Sequence, residues 1–135
     1  MNDVSGERDL AVLLRRAAPR RVDGEFVYTR LDPGVAVPAG AHPVVTVQER
    51  EGLTLVLPRA EADELGLAYA FVAAWITLEV HSALEAVGLT AAFSTALAEA
   101  GIPANVVAGY AHDHVFVPVA RAAEALRALG SLASR

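Results

Sequence analysis

A chain of 135 residues buries about two thirds of its unfolded surface on folding and needs no disulfide or metal to hold it together. It has no cysteine, which excludes thiol catalysis and disulfide frameworks. Its formal net charge is −5 and its basic residues are scattered, so the stripe that nucleic acid requires is missing. Hydrophobic residues make up 54%, above the usual ~45–50%; much of the excess is alanine, and the remainder hints at a surface buried in an oligomer.

The amino terminus, "MNDVSGERDL", is polar and acidic and does not read as a signal peptide. The longest apolar run, Leu67–Leu78, falls short of the ~20 residues of a membrane helix. The expectation is a cytoplasmic protein with neither membrane nor nucleic acid as partner. In chain order, Ser5 caps a predicted helix with Leu10, Leu13, Leu14 and Ala17 on one face, and Pro19 ends it. Arg20-Arg21 reads as a surface turn. "EFVYTRL" (Glu25–Leu31) alternates as a strand does. "DPGVAVPAGAHP" is too rich in glycine and proline for regular structure. "VVTVQ" (Val44–Gln48) and "LTLVL" (Leu53–Leu57) form a predicted hairpin around "EREG". A short helix, Arg59–Gly66, follows Pro58.

"FVAAWITLEV" (Phe71–Val80) is apolar on both faces, as a covered central strand is, with Phe71 and Trp75 assigned to the core. "GLTAAFSTALAEAG" puts Leu89, Phe93, Leu97 and Ala100 on one helical stripe, stopped by Gly101. Strands Asn105–Tyr110 and Asp113–Pro118 meet at a turn, Ala111-His112. The closing helix has Val119, Ala122, Ala123, Leu126 and Leu129 on its predicted buried face. Residues 71–130 thus spell strand–helix–strand–strand–helix, and the first half spells helix–strand–hairpin–helix. Each is a ferredoxin-like plan short of one strand, so the two lobes are expected to lend each other a strand. The fold class is α+β, with two pseudo-duplicated lobes, an antiparallel sheet and helices on one face.

From Val80 to Val119 the sequence resembles the ACT domain family, whose members are regulatory modules that bind amino acids. The resemblance is carried by "AVGLTAAFSTAL", a glycine opening the first helix; by "AGIPANVV", the entry to the second strand; and by "HDHVFV", the return of the hairpin. The first half, with "EREGLTLVLP", looks like the divergent ACT-like lobe that precedes this module in small bacterial proteins and in animal arginine sensors. On that reading residues 1–66 are the amino-terminal lobe and 67–135 the ACT domain.

The resemblance implies a ligand between the strand-to-helix loop of one module and the second strand of a neighbour, here Val87, Gly88, Leu89 and Thr90 with Asn105 and Val106. The local chemistry agrees. A helix amino terminus offers unpaired N–H groups to a carboxylate, and Gly88 admits a ligand close to the backbone. Thr90 adds a hydroxyl, Asn105 a donor and an acceptor, and Asp113 a partner for an ammonium group. Two features depart from the pattern: Pro103-Ala104 separates Ile102 from Asn105, and Ser82-x-x-Glu85 spells a capping box ahead of Gly88.

The structural roles stand beside these. Gly88 can be a tightly packed helix start, and Asn105 the cap of a turn. His112 and His114, two apart on a strand, share a face and could ligate zinc with His81 as the third group, but His112 sits in a turn where polarity is expected, and a structural histidine is the favoured reading for His114 and His81. Adjacent His112 and Asp113 point to opposite faces, which argues against an acid–base pair. The expectation is therefore a sensor without enzymatic activity, cofactor or metal. It would bind an amino acid or related metabolite and form a homodimer. An assembly module without ligand, or a histidine-based metalloenzyme, stands as the alternative.

Overall fold

The computed structural model describes residues 9–16, 18–79 and 87–134. In chain order its elements are α1 (Leu10–Arg16), β1 (Pro19–Arg21), β2 (Phe26–Leu31), β3 (Val45–Glu49), β4 (Gly52–Pro58), α2 (Arg59–Leu65) and β5 (Val72–Leu78). Then come α3 (Leu89–Glu99), β6 (Asn105–Ala108), β7 (Asp113–Pro118) and α4 (Ala122–Gly130), with short 3-10 turns on either side of α4. It is an α+β fold of antiparallel strand pairs and helices. Contacts divide it into two compact units, Asp23–Ala74 and a discontinuous one made of Met1–Val22 with Trp75–Arg135. These units cut the chain differently from a division into residues 1–66 and 67–135, because the amino-terminal α1 and β1 pack with the carboxy-terminal elements.

In the unit 23–74, β2 and β4 pair from Phe26↔Pro58 to Leu31↔Leu53. β3 pairs β4 on its other side, and the start of β5 pairs β2. Period-two alternation sends Val27, Leu31, Leu55 and Leu57 to one face, where Ala62 of α2 completes a core. Gly52 opens β4 at φ +144°; a Cβ there would lie 2.1 Å from the Leu31 carbonyl oxygen, so no other residue fits the hairpin. Gly66 ends α2 in the left-handed conformation, as expected for a helix stop. The loop between β2 and β3 has no helix. Glu61 holds its end, accepting from the His42 amide at 2.7 Å and meeting His42 Nδ1 at 3.0 Å.

In the discontinuous unit the strand order is β1-β5-β7-β6. β1 is a correction to the sequence reading. Pro19–Arg21 is not a surface turn but a strand, paired from Pro19↔Leu78 to Arg21↔Ile76. Proline is tolerated as the first residue of a strand, where its missing N–H disturbs least. Asp9 caps α1, its Oδ1 accepting from the Val12 amide at 3.2 Å; Ser5, the expected cap, lies outside the described residues.

The core of this unit takes Leu89, Phe93, Ala96 and Leu97 from α3, and Ala122, Ala125 and Leu129 from α4, followed by Leu132. Ala123, assigned to the buried stripe from sequence, is exposed, because the helix turns Ala125 inward instead. Arg121 closes the carboxyl end of α3. Its guanidinium donates to the carbonyls of Ala100 at 3.1 Å and Gly101 at 3.3 Å while Glu124 holds it in place.

Candidate functional site

α3 starts where Gly88 adopts φ +95°. Only glycine enters that region freely, and a Cβ would meet the tip of Leu10 at 3.0 Å. Gly88 is therefore required by conformation and by packing. On either side of it Val87 is 85% exposed and Leu89 is buried in the core. Thr90 is exposed in the first turn. The glycine thus fixes a helix start that turns Leu89 inward and leaves Val87 and Thr90 to solvent. His81 and the box from Ser82 to Glu85 lie outside the described residues.

α3 has eleven residues, and at 1.5 Å per residue it spans ~16 Å. Asn105 follows the far end of that helix, after the stop at Gly101. In a β-α-β unit the helix runs against the strands, so the Gly88 end of α3 and the tip of the β6–β7 hairpin share one end of the unit. Asn105 and Val106 occupy the other. Within one chain, then, Val87–Thr90 and Asp113 share an end, while Asn105 and Val106 are set apart from them. Asn105 is exposed; Val106 is half-buried opposite Val115.

The hairpin is built tightly. Its ladder stops at Ala108↔Asp113, and the Gly109 amide donates to the His112 carbonyl at 2.9 Å. Tyr110, expected as the last residue of β6, sits in the turn and is 75% exposed. Gly109 has no room for a side chain: a Cβ would lie 2.7 Å from the His112 oxygen and 2.8 Å from His114 Nε2. Asp113 is only 6% exposed. Burial pushes its carboxyl pKa up, an effect that His114 and then His112 partly offset.

His114 is satisfied, as a structural histidine would be. Its Nδ1 accepts from Trp75 Nε1 at 3.1 Å, so the neutral ring carries its proton on Nε2. Burial, then the proximity of His112, pulls its pKa down against the opposing pull of Asp113. Trp75, assigned to the core from sequence, is half-buried; it stacks on Phe116 at 6.0 Å and lends its indole N–H to His114. That bond was not visible in the sequence, although the shared face of His114 and Phe116 was. His112 differs from His114: among the described residues its Nδ1 is the one buried side-chain polar atom without a hydrogen-bond partner. Among the described residues no three histidine or carboxylate groups converge to hold a metal.

No described helix is long and apolar enough to cross a membrane. Comparison with curated proteins finds no match. Among solved structures, the chain is similar to a Vibrio cholerae protein of unknown function, described as a possible transport protein, at 47% identity and TM-score 0.83. The match covers 92% of this chain and 95% of that one. A crystal structure of aspartokinase alpha and beta subunits superposes with TM-score 0.65 at 14% identity, covering 87% of this chain and 98% of that one. The ligand-free regulatory subunit of aspartate kinase from Thermus thermophilus does so with TM-score 0.63 at 12% identity, covering 84% and 95%. These distant matches share the fold. Two family models, each described as ACT domain, match residues 5–74 and 71–131. With one module matched in each half, the chain belongs to the ACT domain family.

Proposed function

We propose that the protein is a sensor without catalytic activity, which binds an amino acid or a related small metabolite and passes the signal to a partner or to its own assembly. ACT domains are regulatory modules, and both halves of the chain carry one. The observation that carries the reading is the buried carboxylate of Asp113 next to His112, whose Nδ1 has no partner among the described residues, at the same end of the unit as the start of α3. A carboxylate kept from water suits an ammonium group, and the first-turn amides of an eleven-residue helix suit the acid group of the same ligand.

Asn105 and Val106 enter this site from a second copy, since the length of α3 separates them from Gly88 in their own chain. A homodimer follows from the proposal. Thermal-shift measurements with each of the common amino acids are the first test, because a ligand bound only to the folded state at one hundred times its dissociation constant adds about 2.7 kcal/mol. A positive shift that Thr90→Ala and Asp113→Asn both weaken is the expected outcome. No shift with any amino acid leaves an assembly module. Mixing a Thr90→Ala chain with an Asn105→Ala chain tests the shared site: one crevice per mixed dimer is intact, so an equimolar mixture restores about a quarter of the binding sites. No restoration places both residues in one chain's site or in none.

A further inference from the structure

The unit 23–74 holds a second concentration of polar chemistry, on segments that the proposed function does not use. Gly24, Glu25, Pro58, Arg59, Ala60 and Asp63 line an open recess of about 370 Å³. Small-molecule sites occupy roughly 300–1,000 Å³. Arg59 stands in the wall and is held from two sides: Nη1 donates to Glu25 Oε1 at 2.9 Å, and Nε donates to the Tyr69 hydroxyl at 2.9 Å. That hydroxyl donates in turn to Asp63 Oδ1 at 2.6 Å. The guanidinium also lies over the Tyr69 ring, 5.7 Å from its centre.

A network that only tied these segments together would be complete with those bonds. Yet they use Nε and a single hydrogen of Nη1. Nη2 makes no hydrogen bond or ion pair to any described residue, although a guanidinium carries five donors in a rigid fork. Nη2 keeps both of its hydrogens, one of them on the edge it shares with Nη1, where a carboxylate can engage a guanidinium. Ordering a long side chain is the usual cost of a surface arginine contact, and here Glu25 and Tyr69 have already ordered it. Asp63 Oδ2 lies 3.9 Å from Arg59 Nε, beyond hydrogen-bond reach, and keeps its capacity to accept. Two carboxylates against one arginine make the wall net negative, which disfavours a phosphate and favours a ligand that brings its own cation.

We infer that this recess is a second small-molecule site, one that takes a zwitterion of amino-acid size, its acid group on Nη2 of Arg59 and its ammonium on Asp63 Oδ2. The inference is independent of the site proposed at Gly88, which lies in the other compact unit.

Two-dimensional proton–nitrogen NMR of the full chain tests it. Each common amino acid is titrated into the tens of millimolar, with acetate and ethylamine as the two halves of a zwitterion. The expected result is a saturable shift of the Arg59 Nε–H and of the Gly24 and Ala60 amides with at least one amino acid. Each half alone should bind on the order of tenfold more weakly. Arg59→Gln abolishes the shift. Asp63→Asn, which keeps size and shape, weakens it should the arginine variant fail to fold. Equal shifts with acetate reduce the recess to a simple anion contact and overturn the proposal. Shifts confined to residues 87–90 and 113 overturn it and leave the Gly88 site standing. The reverse pattern removes the Gly88 site, and no shift anywhere overturns both.

Discussion

Asp113 is a carboxylate that the fold buries against its chemical preference. Its folded pKa is raised above 3.8 by burial, so the folded chain holds a proton that the unfolded chain releases. The stability it contributes is present below pH 3.8 and is lost as pH rises through the folded pKa. Burial disfavours the charged form of Asp113 in the folded chain, so Asp113→Asn should melt no lower than the natural chain at pH 7 while binding a zwitterion less well. A large fall in melting temperature would make the carboxylate a structural group. His114 has the opposite sign. Burial depresses its pKa below 6.5, so the unfolded chain takes up a proton first and stability falls as pH drops from 6.5 through the folded value. Trp75 is the chain's single tryptophan and is bonded to that ring. Its fluorescence should therefore titrate with a midpoint below 6.5, and His114→Gln should remove the inflection. The sequence marked Gly88, Asp113 and the histidines as chemical because glycine, aspartate and histidine at element junctions narrow the options. The burial of Asp113 and the indole-to-imidazole bond were not legible, since both depend on what β5 places against the hairpin.

Among the elements, strand content was the most readable level. β7 occupies the predicted Asp113–Pro118, and β2, β3, β4 and β5 lie within one or two residues of their predicted bounds, because period-two burial leaves its mark on every second side chain. β1 left no mark. Its three residues contribute backbone hydrogen bonds at an edge of β5 while Arg20 and Arg21 stay exposed, so there is no apolar alternation to read. α4 failed differently: a helix rich in alanine offers several faces of equal hydrophobicity, and its register is settled only by packing. That register is testable with small changes. Ala125→Ser should cost about 1–3 kcal/mol, because the hydroxyl enters a fully buried position. Ala123→Ser should stay within about 0.5 kcal/mol. Urea unfolding of the two variants checks this, and equal costs would place Ala123 in the core. Leu97→Ala, in the fully buried stripe of α3, should cost about 2–5 kcal/mol in the same assay. The length of α3 also bears on how the proposed site is assembled. The sequence lists Gly88 and Asn105 as neighbours in a motif, whereas eleven helical residues hold them ~16 Å apart.

Taken as a whole molecule, the chain does not assign its first residues to its first unit. β5 pairs β2 through Val72 and Ala73 and pairs β1 through Ile76, Thr77 and Leu78. Removing residues 1–22 should therefore strip β5 of a strand and take Leu13 out of the core of the unit 75–135. The unit 23–74 retains all its own strands. Hydrogen exchange on the truncated chain should show protection surviving in β2 and β4 and lost in β7 and α3; uniform loss would mean that the two units fold only together. The same arrangement sets a timetable on the ribosome. Pro19–Arg21 is synthesised well before Ile76–Leu78, and at roughly 5–20 residues per second the nascent strand waits several seconds for its mate. During that interval the leucines of α1 lack the carboxy-terminal residues they will pack against. A holding chaperone would have its natural hold there, on leucines made well ahead of the residues that cover them.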